Sequence, residues 1–127
     1  MNLLSIHHVA IIVSDYECSK DFYVNKLGFQ IIRENYRPAR NDWKLDLQVN
    51  DTTELEIFGI SDPPARVSRP EAAGLRHLAF YTDNIEAAVT ELEEKGIRVE
   101  PIRVDEFSGG RFTFFSDPDG LPLELHE

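Results

Sequence analysis

The sequence predicts an α+β fold made of two βαβββ modules. Three observations carry this. Strand-type and helix-type runs occur in the same order twice, short fragments recur at a nearly constant offset, and each half holds one histidine and one glutamate at matching places in apolar runs. A length of 127 residues suits one domain over 1–127, with module 1 at about 4–60, a connection at 61–73 and module 2 at about 74–127.

The run Ile6 to Val13 is β-branched and mostly apolar, as expected of a largely buried strand. Ser14 or Asp15 then caps a helix whose apolar side is Cys18, Phe22, Tyr23 and Leu27, ending at Gly28. A strand from Phe29 to Tyr36 is broken by Pro38 and the Asn41-Asp42 pair. In the next strand Trp43, Leu45, Leu47 and Val49 alternate with Lys44, Asp46 and Gln48, the period of a sheet with one covered face. Asn50-Asp51 turns the chain into a fourth strand, Glu54 to Phe58. Periodicity dissolves between Ile60 and Gly74 and resumes with a strand from Leu75 to Thr82. Asp83 with Glu86 makes a capping signature for a helix bearing Ile85, Val89 and Leu92 on one face, with Gly96 as its stop. Strands at 97–104, 111–115 and 121–126 complete the second module.

The repeat goes beyond element order. His8-Val9-Ala10 and His77-Leu78-Ala79 lie 69 residues apart, while Leu55-Glu56-Ile57 and Leu123-Glu124-Leu125 lie 68 apart.

Composition narrows the function. With 42% hydrophobic and 28% charged residues the chain is globular rather than disordered. Thirteen Lys+Arg against 23 Asp+Glu leave a net charge of −10, which works against a nucleic-acid or anionic-membrane surface and points to small metabolites or cations. Apolar runs such as Val9–Val13 fall far short of the roughly 20 residues that cross a bilayer, and no signal segment opens the chain, so a soluble cytoplasmic protein is expected. The one cysteine, Cys18, rules out an intrachain disulfide and reads as a small core residue. Any metal must be held by histidine and carboxylates.

Glu56 and Glu124 need a reason to sit in apolar strands, because an unpaired buried carboxylate is costly. Two imidazoles and two carboxylates, His8, Glu56, His77 and Glu124, around one divalent ion supply it; the set suits Zn²⁺, Ni²⁺, Co²⁺, Mn²⁺ or Fe²⁺ better than Ca²⁺. A wet sheet face with solvated or salt-bridged side chains is the other reading. His7 and His8 point to opposite faces of a strand, and the repeat selects His8. His126 shares strand parity with Glu124, but its place near the C-terminus favours solvent exposure. Tyr36 and Trp43 suit either a substrate pocket or aromatic packing, and Arg111 either a substrate carboxylate or the surface. Ser108-Gly109-Gly110 reads as a mobile loop.

The segments His8 to Asp15, Phe22-Tyr23 with Leu27-Gly28-Phe29, Leu55 to Phe58, His77 to Phe80, and Asp117 to Gly120 with Leu123-Glu124-Leu125 resemble the glyoxalase I branch of the vicinal oxygen chelate superfamily. The resemblance implies paired βαβββ modules forming a cup of mixed β-sheet around a divalent metal, with His8, Glu56, His77 and Glu124 as ligands. It implies a lyase or isomerase that acts on a small vicinal-oxygen substrate such as a hemithioacetal, through a metal-stabilised enediolate. The base is then Glu124 or Glu56, with Glu124 slightly favoured. A thiol cosubstrate and a homodimer are also implied. Glutathione in particular is in question, because bacterial glyoxalase I proteins carry an arginine where this chain has Ile12. An epimerase, thiol transferase or dioxygenase, or a non-catalytic antibiotic-type binding protein, would share the fold.

Overall fold

A computed structural model describes residues 1–127. The chain forms two compact units, Met1–Pro64 and Ala65–Glu127. Each contains one four-stranded mixed sheet and one helical segment, so the βαβββ order appears twice.

In the first unit β1 (His8–Val13), β2 (Gln30–Arg37), β3 (Asp42–Gln48) and β4 (Glu54–Gly59) lie in the order β1-β4-β3-β2. The first and last strands pair in parallel, and the other pairs are antiparallel. Strand alternation sends Ile11, Val13, Leu45, Leu47, Leu55 and Ile57 into the core, where Phe22 and Tyr23 are also buried. Each such side chain contributes roughly 2 kcal/mol of burial free energy.

The connection from β1 begins with helix α1 (Tyr16–Lys20), capped by Asp15, whose carboxylate accepts the Cys18 N–H at 3.0 Å. The chain then widens into a π-helical segment, Asp21–Lys26, closed by the Leu27 N–H donating to the Phe22 carbonyl at 2.9 Å. In α1 Ser19 faces the interior and Cys18 is exposed, so the expectation of a core cysteine is corrected.

In the second unit β5 (Leu78–Tyr81), β6 (Arg103–Val104), β7 (Arg111–Ser116) and β8 (Pro122–His126) follow the equivalent order, β5-β8-β7-β6. Helix α2 (Ile85–Glu94) buries Ile85 and Leu92. Its cap is Asn84, which accepts the Ala87 N–H at 3.0 Å, rather than Asp83. Glu86 closes no capping box because the cap at Asn84 makes Ala87 the third helical residue; its carboxylate pairs with Arg111 instead. The strand expected over 97–104 contracts to two residues: the Glu100 N–H still donates to the Phe114 carbonyl at 2.9 Å, but Pro101 has no N–H to continue the ladder. Both helical segments end at a glycine in the left-handed region, Gly28 at φ +81 and Gly96 at φ +77. No helix is long and apolar enough to cross a membrane.

The last residue of β4 fixes the seat of α1. A Cβ at Gly59 would lie 2.7 Å from Tyr16 Cδ2, and the Tyr16 ring stacks on Trp43 at 5.0 Å between centroids. Gly59→Ala is expected to destabilise the fold by about 1–3 kcal/mol through overpacking. Thermal unfolding measures this, and an unchanged midpoint would show that Tyr16 is free to move.

Candidate functional site

The parallel pairing of first and last strands builds the same local arrangement in both units. In unit 1 Ala10 stands opposite Glu56, and in unit 2 Ala79 stands opposite Glu124. His8 and His77 lie two residues before those alanines, so each histidine is placed beside the glutamate of the neighbouring strand. His8 Nε2 is 3.6 Å from Glu56 Oε2, and His77 Nε2 is 2.8 Å from Glu124 Oε2. Glu124 is only 8% exposed, and the His77 ring meets Phe114 edge to face at 5.2 Å.

The first pair sits on an ionic sheet face. Lys44 Nζ lies 2.5 Å from Asp46 Oδ1 and 3.0 Å from Glu56 Oε1, and Arg33 Nε donates to Asp46 Oδ2 at 2.6 Å. Asp46 is 2% exposed, which corrects the reading of Lys44, Asp46 and Gln48 as a plain outer face. Burial alone would push the Asp46 carboxyl up, but the Lys44 and Arg33 hydrogen bonds hold it below the usual carboxylate range. Burial opposes the charge on Lys44 as well, yet Asp46 and Glu56 together raise its pKa. Next to this cluster Arg37 makes a two-pronged contact with Asp42 at 2.7 and 2.6 Å, and its guanidinium stands 5.0 Å over the Phe58 ring.

The second pair sits on an aromatic face. Phe114 and Phe112 of β7 stand opposite Glu124 and His126, the positions that Asp46 and Lys44 fill opposite Glu56 and Phe58 in the first unit. His126 stacks on Phe112 at 6.5 Å, and a Cβ at Gly110 would meet its ring at 2.6 Å. It is therefore packed and half-buried, not the exposed chain-end residue expected from sequence.

Other named residues fall elsewhere. Trp43 shares parity with Leu45 and Leu47, so Trp43 and its partner Tyr36 occupy the helix side of the sheet, opposite to Glu56; they contact each other at 5.3 Å. Arg111 is engaged by Glu86 and Glu127. His7 lies just outside β1, where the pleat does not direct it, and its Nδ1 reaches His8 Nδ1 at 2.9 Å. Ile12 is 58% exposed on the face that carries His8. Within neither unit do three or more His, Cys, Asp or Glu side chains form a group able to hold a metal. Arg33, Lys44 and Asp46 were not anticipated as members of the site; the signal was Lys44 and Asp46 at the positions where the second half has Phe112 and Phe114.

The family model for the Glyoxalase/Bleomycin resistance protein/Dioxygenase superfamily matches residues 5–125. The chain belongs to that superfamily. Among its superfamily relatives, YwkD of Bacillus subtilis is 62% identical over 127 residues, spanning 100% of this chain and 99% of that one. The crystal structure of a glyoxalase family protein from Enterococcus faecalis is 58% identical with a TM-score of 0.94, covering 100% of both chains. The mitochondrial methylmalonyl-CoA epimerase of Homo sapiens is 31% identical over 132 residues, spanning 99% of this chain and 75% of that protein. Superfamily membership places this chain among folds that support vicinal-oxygen-chelate chemistry.

The buried carboxylate of Asp46 yields a pH prediction. Its folded pKa lies below its unfolded value near 4, so its contribution to stability is present above about pH 4 and is lost as pH falls through the folded value. Asp46→Asn is expected to cost about 2 kcal/mol at pH 7 and to flatten the acid limb of the stability curve. Urea unfolding from pH 3 to pH 7 measures both, and an unchanged acid limb would remove Asp46 from that role.

Proposed function

We propose that this protein is a divalent-metal-dependent isomerase of the glyoxalase–epimerase type, moving a proton at a carbon beside a substrate carbonyl. His8, Glu56, His77 and Glu124 would hold the ion, supplied by one chain or shared between two copies in a homodimer. The observation that carries this reading is the repetition of one histidine–glutamate pair in the same strand register in both units, with one glutamate almost wholly buried.

The donor set fits a metal of the zinc, nickel, cobalt, manganese or iron kind, since imidazole nitrogens and carboxylate oxygens suit those ions. When bound, such an ion supplies Lewis acidity toward two neighbouring oxygens of the substrate. The chain supplies the rest. His8 has its Nδ1 against His7, which leaves Nε2 as the ligand atom. One of Glu124 and Glu56 takes the substrate proton at a carboxylate oxygen and returns it, while the other remains a ligand. Phe114 stands opposite Glu124 in the sheet, and Glu124 is only 8% exposed, so little water reaches that carboxylate.

Within this class the epimerase reading is favoured over a glutathione hemithioacetal. An epimerase is among the relatives that match nearly the whole chain, and the exposed apolar side chain of Ile12 gives no grip on a thiol cofactor's carboxylate. A 2-substituted acyl thioester or a hydroxyketone is the substrate class in view.

Protein purified without added metal or chelator is expected to carry close to one divalent ion per chain, and His8→Ala and Glu124→Ala, checked for folding, to carry none. Solvent deuterium should enter the carbon beside the carbonyl of acyl thioesters or hydroxyketones. Glu124→Gln and Glu56→Gln should each slow that entry, the one at the base by about 100-fold or more. Saturable ligand binding with no exchange would instead establish a binding protein, and oxygen uptake or thiol-adduct formation would establish a different reaction on this fold.

A further inference from the structure

We propose that Lys44 is a positioning residue that holds Glu56 back from the metal, so that Glu56 is the exchangeable carboxylate and Glu124 the resident one. This rests on the metal-dependent reading above and assigns unequal roles to its two glutamates.

The two pairs are built in the same register but are not equivalent. Glu56 has an ammonium at 3.0 Å and its histidine at 3.6 Å, so the nearer partner is Lys44. The ion-pair partner of Glu124 is His77, at 2.8 Å, and the β7 positions corresponding to Lys44 and Asp46 are Phe112 and Phe114. A cation has therefore been provided at one carboxylate and aromatic carbon at the other.

Lys44 is anchored, not a passing surface contact. Its Nζ lies 2.5 Å from Asp46, a carboxylate buried at 2% exposure, and 5.8 Å from the Phe58 ring centroid. Swinging the ammonium into solvent would remove one of the two cations that compensate Asp46, the other being Arg33 at 2.6 Å. The Lys44 charge is thus fixed beside Glu56. A divalent ion that recruits Glu56 must compete with this ammonium for the carboxylate and also bear its repulsion, whereas recruitment of Glu124 breaks no Lys or Arg ion pair: the cation on that face, Arg103 over the Phe112 and Phe114 rings, is paired with Glu100. The weakly recruited carboxylate is the one left available to a substrate proton.

The test measures Co²⁺ affinity by equilibrium dialysis of the full chain, with folding confirmed by circular dichroism. Lys44→Met should tighten Co²⁺ binding about tenfold, equivalent to roughly 1.4 kcal/mol, and Lys44→Arg should restore the parent value. Glu56→Gln should weaken binding less than about threefold, against about 100-fold or more for Glu124→Gln, and Lys44→Met should give no gain in the Glu56→Gln background. Equal losses for the two glutamine variants, or a folded Lys44→Met with unchanged or weaker affinity, would overturn the proposal. The comparison of glutamine variants keeps Lys44 in place and so decides the matter even if Lys44→Met fails to fold. Failure of the parent and every variant to bind Co²⁺, Ni²⁺ or Zn²⁺ would instead overturn the metal-dependent reading itself, and this proposal with it.

Discussion

Parallel pairing between the first and last strand of each unit is the constraint on which the remaining arrangement depends. Parallel strands cannot be joined by a tight turn, so a helix and two further strands must intervene before the chain returns. That return brings residues about 46 positions apart, Ala10 and Glu56 or Ala79 and Glu124, into direct register. A slip of one residue would turn Glu56 or Glu124 into the apolar core and a leucine or isoleucine outward, a change that the burial of Leu55, Ile57, Leu123 and Leu125 forbids. The core residues thus hold the acidic residues in place by leaving them no alternative register.

On this common frame the two sheet faces have opposite chemistry. The first compensates charge with charge: Asp46 lies between Lys44 and Arg33, and Asp42 against Arg37. The second uses rings, with Phe112, Phe114 and His126 forming a surface over which the Arg103 guanidinium stands at 5.1 and 5.7 Å from the two phenylalanine centroids. Buried ion pairs contribute little net stability because desolvation offsets their attraction, but they are costly to break once built. The ionic face therefore restricts substitution without adding much to the stability of the sheet.

Much of the fold was legible from sequence because periodicity reports on burial directly. Alternation in Trp43 to Val49, the paired His-x-Ala fragments and the glycine stops gave element types and order. Less legible were features that depend on partners distant in sequence. Asp46 reads as an outer-face residue until Arg33 and Lys44 are known to surround it, and Glu86 reads as half of a capping box until Asn84, one residue on from Asp83, is seen to be the cap. The widening of the first helical segment has no local signature in its residues, and the burial of Ser19 rather than Cys18 in the turn before it was not legible either. His8 and Glu56 could be named from the repeat, whereas the ammonium between Glu56 and Asp46 could not, because the second half has no counterpart to it.

The bulge in β2 has a meaning beyond the side chains it delivers. Between Ile31 and Arg33 the register against β3 shifts, so Arg33 rather than Ile32 stands opposite Asp46. The same strand lies at the end of its sheet, eight residues long, with Ile31 and Ile32 both partly exposed. A straight edge of that length and composition is a template for adding a strand from another molecule. The extra residue breaks the even spacing that an incoming strand would need, and Arg33, Glu34 and Arg37 put charges along the same edge. One insertion thus equips a buried carboxylate with its guanidinium and guards the sheet against aggregation.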